Sequence, residues 1–436
     1  MAERNVAALA ILDDFSRQPG VSASVMANLR SILDQSPLLN RQFNQAARLG
    51  HLRGFAVLAD PNAGGTFHPA DKRIHLSVIS LTTPGTDEFE SGEPTFVLGH
   101  ELQHAFNADA QARSSREFDR AIQGIAESPA PIHDYTGVLE MRLGDNRQDE
   151  AAAEIAGWNA LVSAVKTRLP EATLEDVIEA ARYRAEDFLD AAESARDADK
   201  TLAANLHLNA DLTLTPTPQN LEAMGQNYFD KDPDDTNLGF RGNSDYANYY
   251  AAYAVGRIVA LETHYSRHLG ERASRIAIDM ERLGLSERLL EENGLHLGSA
   301  IRRMPYLDLS HASTARRHFD HTYESHEYRP LAPHSDEALQ HERETLHPMS
   351  PAEGAVVRDI AAYVDRMLQA DATGDDATFR EMTRALADLP AGRASTARAK
   401  ADVDAQELLT VQRLREERRA QQTEDLAPPV AAKFLR

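Results

Sequence analysis

Apolar and polar positions alternate along this chain in a way that predicts helices at the front, a short pair of strands, and then a long helical body. Over the first fifty residues apolar side chains recur at helical spacing. Ser36 and Pro37 precede the run Leu38 to Leu49, and Gly50 follows it. That order predicts an N-cap, a first-turn proline, a helix and a C-terminal glycine. Gly54 to Ala59 reads as a buried strand, Asn62 to Gly65 as a turn, and Arg73 to Ile79 as a second strand with Ile74, Leu76 and Val78 on one face. A polar loop from Thr82 to Gly92 leads into a helix that begins near Pro94.

The helical pattern resumes from Asp145 to about Pro170, and Thr173 to Asp199 is an Ala/Glu/Arg-rich helix. Thr213 to Gly242 is rich in Pro, Asp and Asn and reads as a loop region, whereas Asp245 to Leu295 is helical with short breaks. Residues 305–350 are polar, irregular and histidine-rich, and Pro351 onward carries three helical stretches. The expected fold class is therefore mainly α with a small antiparallel or mixed β-sheet (α+β). The expected organisation is an N-terminal helical segment at 1–50, a core at 51–300, a His-rich irregular linker at 301–350 and a C-terminal helical region at 351–436.

Length and charge narrow the possibilities. With 436 residues the chain can bury two or three cores. No apolar run reaches the roughly eighteen residues of a membrane span, so none is expected. The N-terminus lacks a basic start and a cleavage-like end, which predicts no signal peptide. A net charge of −22 argues against a nucleic-acid partner, because a phosphate backbone would repel such a surface. Cysteine is absent, so disulfides, thiolate-bound zinc and thiol catalysis are excluded. Any metal must be held by His, Asp and Glu.

One segment carries such chemistry. Phe96 to Asn107 reads Phe-Val-Leu-Gly-His-Glu-Leu-Gln-His-Ala-Phe-Asn, which places His100 and His104 on one face of a helix, one turn apart. Two imidazoles so placed can bind one zinc ion and leave positions open for water and a third ligand. Glu101 stands where its carboxylate can take a proton from a metal-bound water. Phe96, Val97, Leu98, Leu102, Ala105 and Phe106 make this helix apolar nearly all round, hence buried, where two histidines and a glutamate are costly without partners. Downstream, Glu150 and Glu154 share a helix face beside Ala151, Ala152, Ala153 and Trp158, which fits a buried acidic edge as well as an exposed one.

His100-Glu-Leu-Gln-His104 followed by Glu150-x-x-x-Glu154 resembles the gluzincin group of zinc metallopeptidases. The resemblance covers about residues 50–165 and implies a zincin-like two-lobed catalytic core. It implies zinc as cofactor, Glu150 as third ligand, and Glu154 as the acid that fixes a ligand histidine's tautomer. Glu stands at 154 where that group often has Asp. The strand at 73–79 resembles the edge strand on which such enzymes lay an extended peptide. The implied substrate is a peptide or protein. The absence of a signal peptide and of cysteine, the acidic body and the extra C-terminal helices resemble bacterial effectors made in the cytoplasm and moved by dedicated secretion machines. That implies substrates such as peptidoglycan stem peptides or host or competitor proteins, and a cognate inhibitor or immunity protein as partner. A binding or delivery protein that keeps a metallopeptidase-like core without activity is the competing reading. The intact Glu101 is the feature that separates the two.

Weaker signals remain. Tyr246, Tyr249, Tyr250 and Tyr253 recur at helical spacing, as aromatic packing requires, although Tyr246 or Tyr250 could steady the oxyanion of peptide hydrolysis, as Tyr or His does in the resembled group. Seven of the 17 histidines fall between His311 and His347 at irregular spacings, which reads as a solvated loop. The run Asp230 to Asp235 lacks the glycine and closing glutamate of a calcium loop and reads as a solvated turn.

Overall fold

A computed structural model describes residues 4–58, 64–82, 89–190, 201–269, 275–298, 301–310 and 316–329. The expected C-terminal helices at 351–436 lie outside these, as do residues 330–350 of the His-rich segment. Asn5, Ser22 and Ser36 each accept a hydrogen bond from the backbone N–H three residues on. They cap α1 (Val6–Phe15), α2 (Ala23–Gln35) and α3 (Pro37–Leu49). Gly50 ends α3 at φ 72°, and the N–H groups of His51 and Leu52 return to the Ala46 carbonyl, the expected glycine stop.

β1 (Gly54–Val57), β2 (Gly65–His68) and β3 (Arg73–Leu76) form a small mixed sheet in the order β1-β3-β2, with β1 parallel and β2 antiparallel to β3. The strand at 73–79 is thus the middle strand, correcting the expectation that it forms the edge; the edges are β1 and β2, and the one that lies against α4 is β2. Its Gly-Thr-Phe-His sequence has one strongly apolar residue in four, so no alternation announces it. Phe55, Ile74 and Leu76 of this sheet, Phe15, Phe43 and Leu29 of the first helices, and Leu98 and Leu102 share one apolar core. α1 to α3 therefore pack into the same core as the sheet.

α4 (Gly92–Ala126) and α5 (Thr136–Arg168) are 35 and 33 residues long, and the short β4 (Ile132–Asp134) lies between them. They run antiparallel, since side-chain hydrogen bonds join Asn107 to Asp149 and Ser114 to Asp145. Their close approach depends on two glycines. A Cβ on Gly99 would fall 2.7 Å from Ala160 Cβ, and one on Gly157 would fall 2.8 Å from the Phe96 ring. α6 (Leu174–Ala181) is capped by Thr173 and Asp176, and it stops earlier than the expected Asp199. Arg182 turns left-handed at φ 54°, and the 3-10 turn that follows drops Phe188 onto Trp158 with ring centroids 4.6 Å apart. Burying that ring outweighs helix continuation. The remainder of that expected helix, 191–199, lies outside the described residues.

The stretch read as a loop at 213–242 contains α7 (Pro218–Met224), started by a Thr217 cap and a first-turn proline, and then a π turn, Gly225–Phe229. After it come α8 (Tyr246–Leu269), β5 (Arg275–Ile278), α9 (Glu287–Glu292), β6 (Arg303–Asp308) and β7 (Arg316–Asp320). β4, β5 and β6 pair in parallel and β7 closes the row antiparallel. This second sheet was not expected, and β6 and β7 occupy part of the segment read as irregular. Arginines and aspartates mask the alternation there, but Tyr306 and Phe319 stack at 4.0 Å across the pair and bury. The fold is mainly helical with small mixed sheets, as the α+β expectation has it. No helix among the described residues is long and apolar enough to cross a membrane.

Candidate metal centre

α4 and α5 present the expected side chains to each other within two turns of the Gly99–Gly157 contact. Nε2 of His100 and Nε2 of His104 lie 2.9 Å apart, and Oε2 of Glu150 lies 3.6 and 3.7 Å from them. Among the described residues these three form the group whose ligand atoms converge, all within 4.8 Å, and it is a group that could hold a metal ion. His100 and His104 turn their other ring nitrogens to acids. Nδ1 of His104 is 3.1 Å from Oδ2 of Asp149, and Nδ1 of His100 is 3.0 Å from Oε1 of Glu154. With both Nδ1 protonated toward carboxylates, both Nε2 lone pairs point at the same small space beside a carboxylate oxygen. That donor set fits a divalent cation bound by nitrogen and oxygen.

Glu154 is 1% exposed, and neither carboxylate oxygen receives an in-line hydrogen bond; its approach to His100 is close but bent. Burial pushes its carboxyl up to about 7, opposed by Arg184 and Lys231. Asp149 was not anticipated. It braces His104 and is itself held by Nδ2 of Asn107 at 2.7 Å. Burial, then the neighbouring His104, pushes His100 down to about 4. Burial also opposes the charge on His104, yet Glu150, Asp149 and Glu101 outweigh it and raise that imidazole to about 10. The facing pair thus keeps one positive charge between its two rings, in the space where the acids favour it.

Glu101 is buried and lines a cavity of about 540 Å³ that also reaches His100, His104 and Glu150. The edge strand β2 forms the opposite wall. A Cβ on Gly65 would meet Val97 Cγ1 at 2.7 Å and Glu101 Cγ at 3.3 Å, so glycine here lets the strand pass directly over Glu101. Val97, Phe96, Arg184 and Gly64 lie at one end of the cavity.

Of the four tyrosines on α8, Tyr246 and Tyr250 line the cavity, Tyr249 lines it while 45% exposed, and Tyr253 is 73% exposed. The Tyr250 hydroxyl donates to Oε1 of Glu150, and the Tyr246 hydroxyl donates to that of Tyr228. Burial raises all three phenols well above their ordinary value, so they stay protonated donors. Tyr228 also lies within the stretch read as loop, with its ring centroid 6.4 Å from that of His100. The acidic run beside it is not a free turn. Asp230 accepts a bidentate pair from Arg147, and Lys231 pairs with Asp187. The first pair fastens the end of the π turn to α5, the second ties it to the 3-10 turn that follows α6, and together they hold Tyr228 at the site. The described His-rich residues do not join it: His318 sits on β7, Nδ1 of His321 accepts from the Leu297 N–H while its Nε2 meets Glu324, and His326 lies against the Glu292 carbonyl.

No protein-family model, curated protein or solved structure matches the chain.

Proposed function

We propose that the chain is a zinc-dependent peptidase of gluzincin type. His100, His104 and Glu150 would hold the ion, with Asp149 and Glu154 fixing the two imidazoles. The observation that carries this reading is the pair of Nε2 atoms 2.9 Å apart beside a buried carboxylate. Bound zinc supplies a Lewis acid and a water acidic enough to attack an amide near neutral pH. Every other part of the work falls to the chain. Glu101, buried against the cavity and adjacent to a ligand without being one, takes a proton from the attacking water and returns it to the leaving amine. Tyr250 orients Glu150, and Tyr246 donates its proton to the Tyr228 oxygen, which leaves the Tyr228 hydroxyl as the donor for an oxyanion. The edge strand β2 offers unpaired backbone groups for an extended peptide. The two-lobed core belongs to the same proposal. The first half of α4 packs in one apolar core with the first sheet, and its far end, at Phe118 and Ile122, packs with α8 and the second sheet.

Elemental analysis of protein purified without added metal, together with hydrolysis of a peptide mixture, tests the proposal. Wild type should carry one zinc per chain and cut peptides. Glu101→Gln should keep the zinc and lose hydrolysis by on the order of a hundredfold or more. Full activity in that variant, or a metal-free wild type that cuts nothing when zinc is restored, would overturn it.

A further inference from the structure

The cavity has a second end, away from Gly64. That end is lined by Ala108, Gln111 and Arg142. Gln111 stands seven residues past His104 on α4, and Arg142 stands eight residues before Glu150 on α5. At 1.5 Å per residue both helices place this end about 10–12 Å from the ligand group. Nη1 of Arg142 donates to Oε1 of Gln111 at 3.1 Å and to Oγ of Ser114 at 2.8 Å. Both acceptors are neutral, and Arg142 makes no ion pair among the described residues. That is unusual in a chain with 68 acidic against 46 basic residues. The guanidinium is half-buried and two neutral hydrogen bonds aim it, while a carboxylate, that of Asp145, enters its network only through the Ser114 hydroxyl. Between it and Glu150, the buried Asn146 also lines the cavity, and its side chain makes no hydrogen bond among the described residues.

We infer that Arg142 recognises a carboxylate on the substrate, so that the chain selects peptides with an acidic residue a fixed distance from the cleaved bond. At about 3.3 Å per extended residue the span corresponds to roughly three or four positions. Asn146 then meets the peptide backbone on the way. A guanidinium–carboxylate pair is charge-assisted and can be bidentate, which Gln or Asn on the peptide cannot reproduce. This rests on the peptidase reading for the word cleaved, but the recognition itself can be read without hydrolysis.

Pools of randomised peptides carrying one fixed Glu, Gln or Lys provide the probe. Cleavage by the zinc-loaded wild type, read by mass spectrometry, should favour Glu over Gln by on the order of tenfold at three or four residues from the cut. Arg142→Gln should flatten that preference, and Arg142→Glu should turn it toward Lys. Should Arg142 serve only to tie α5 to α4, both variants would lower the melting temperature and leave charge selectivity unchanged, which would overturn the inference while leaving the peptidase reading standing. If the wild type cuts nothing, the peptidase reading fails, and binding decides this one. In Glu101→Gln, fluorescence anisotropy should still show Glu peptides bound more tightly than Gln peptides, and Arg142→Gln in that background should equalise them. Equal affinities before that second change would overturn it.

Discussion

Nε2 of His100 faces Nε2 of His104 at 2.9 Å, a separation that two unprotonated nitrogens do not tolerate without a cation or a proton between them. From behind, Asp149 holds Nδ1 of His104 by a hydrogen bond, and Glu154 lies 3.0 Å from Nδ1 of His100. Zinc binding should therefore contribute directly to folding stability. At a free zinc concentration a hundredfold above Kd, the gain is about 2.7 kcal/mol. His104→Ala should lose both the metal and that zinc-dependent rise in melting temperature. Equal zinc content in His104→Ala and wild type would place the metal elsewhere.

The acids around the pair should separate by role. Glu150→Ala removes a ligand oxygen and should abolish zinc binding or weaken it severely. Glu154→Ala and Asp149→Ala each remove a brace, which is worth about ten- to a hundredfold in affinity. Zinc titration of the three variants checks the order. If Glu154→Ala loses the metal while Glu150→Ala only loosens it, the two glutamates exchange roles.

Gly99 tests the packing that brings the ligands together. Replacing a helix-interior glycine by alanine ordinarily adds about 1 kcal/mol of helix stability. Here the added methyl would lie 2.7 Å from Ala160 Cβ and 3.0 Å from the Ala156 carbonyl. Overpacking of that kind costs about 1–3 kcal/mol, so the clash should win. Gly99→Ala should lower the melting temperature and loosen zinc, and Ala160→Gly should partly restore both. A higher melting temperature in the single variant would show that α4 and α5 are not in close contact here.

Glu291 gives stability a pH dependence away from the metal. It is 1% exposed on α9; Oε1 accepts from the Asp320 N–H at 2.7 Å, and Oε2 has no hydrogen-bond partner. Burial raises its carboxyl from 4.5 to about 8. Between those values the folded chain holds a proton that the unfolded chain has released, so stability falls as pH rises through the window. The loss is on the order of a few kcal/mol. Glu291→Gln should remove that slope, measured by urea unfolding at pH values spanning it. An unchanged slope would show that this carboxyl does not titrate there.

Much was legible in the chain alone. Ser36, Pro37 and Gly50 fixed a helix because capping and left-handed termination are local chemistry that no distant residue need complete. His100, Glu101 and His104 were visible because a one-turn spacing on an apolar helix is itself a geometry; the same spacing put Glu150 and Glu154 on one face, but their place at the site was only what the resemblance implied. The tertiary structure decided what depends on another element arriving. β2, not β3, proved to be the edge strand beside the site, since edge status is a property of pairing and Gly65–His68 carries little alternation. Asp149 became a brace because Gly99 and Gly157 let α4 and α5 close to a distance at which its carboxylate reaches Nδ1 of His104. Tyr228 joined the site because Arg147 and Lys231 pin a Pro- and Asp-rich segment by ion pairs with partners up to 83 residues away, a long-range pairing that no local pattern encodes.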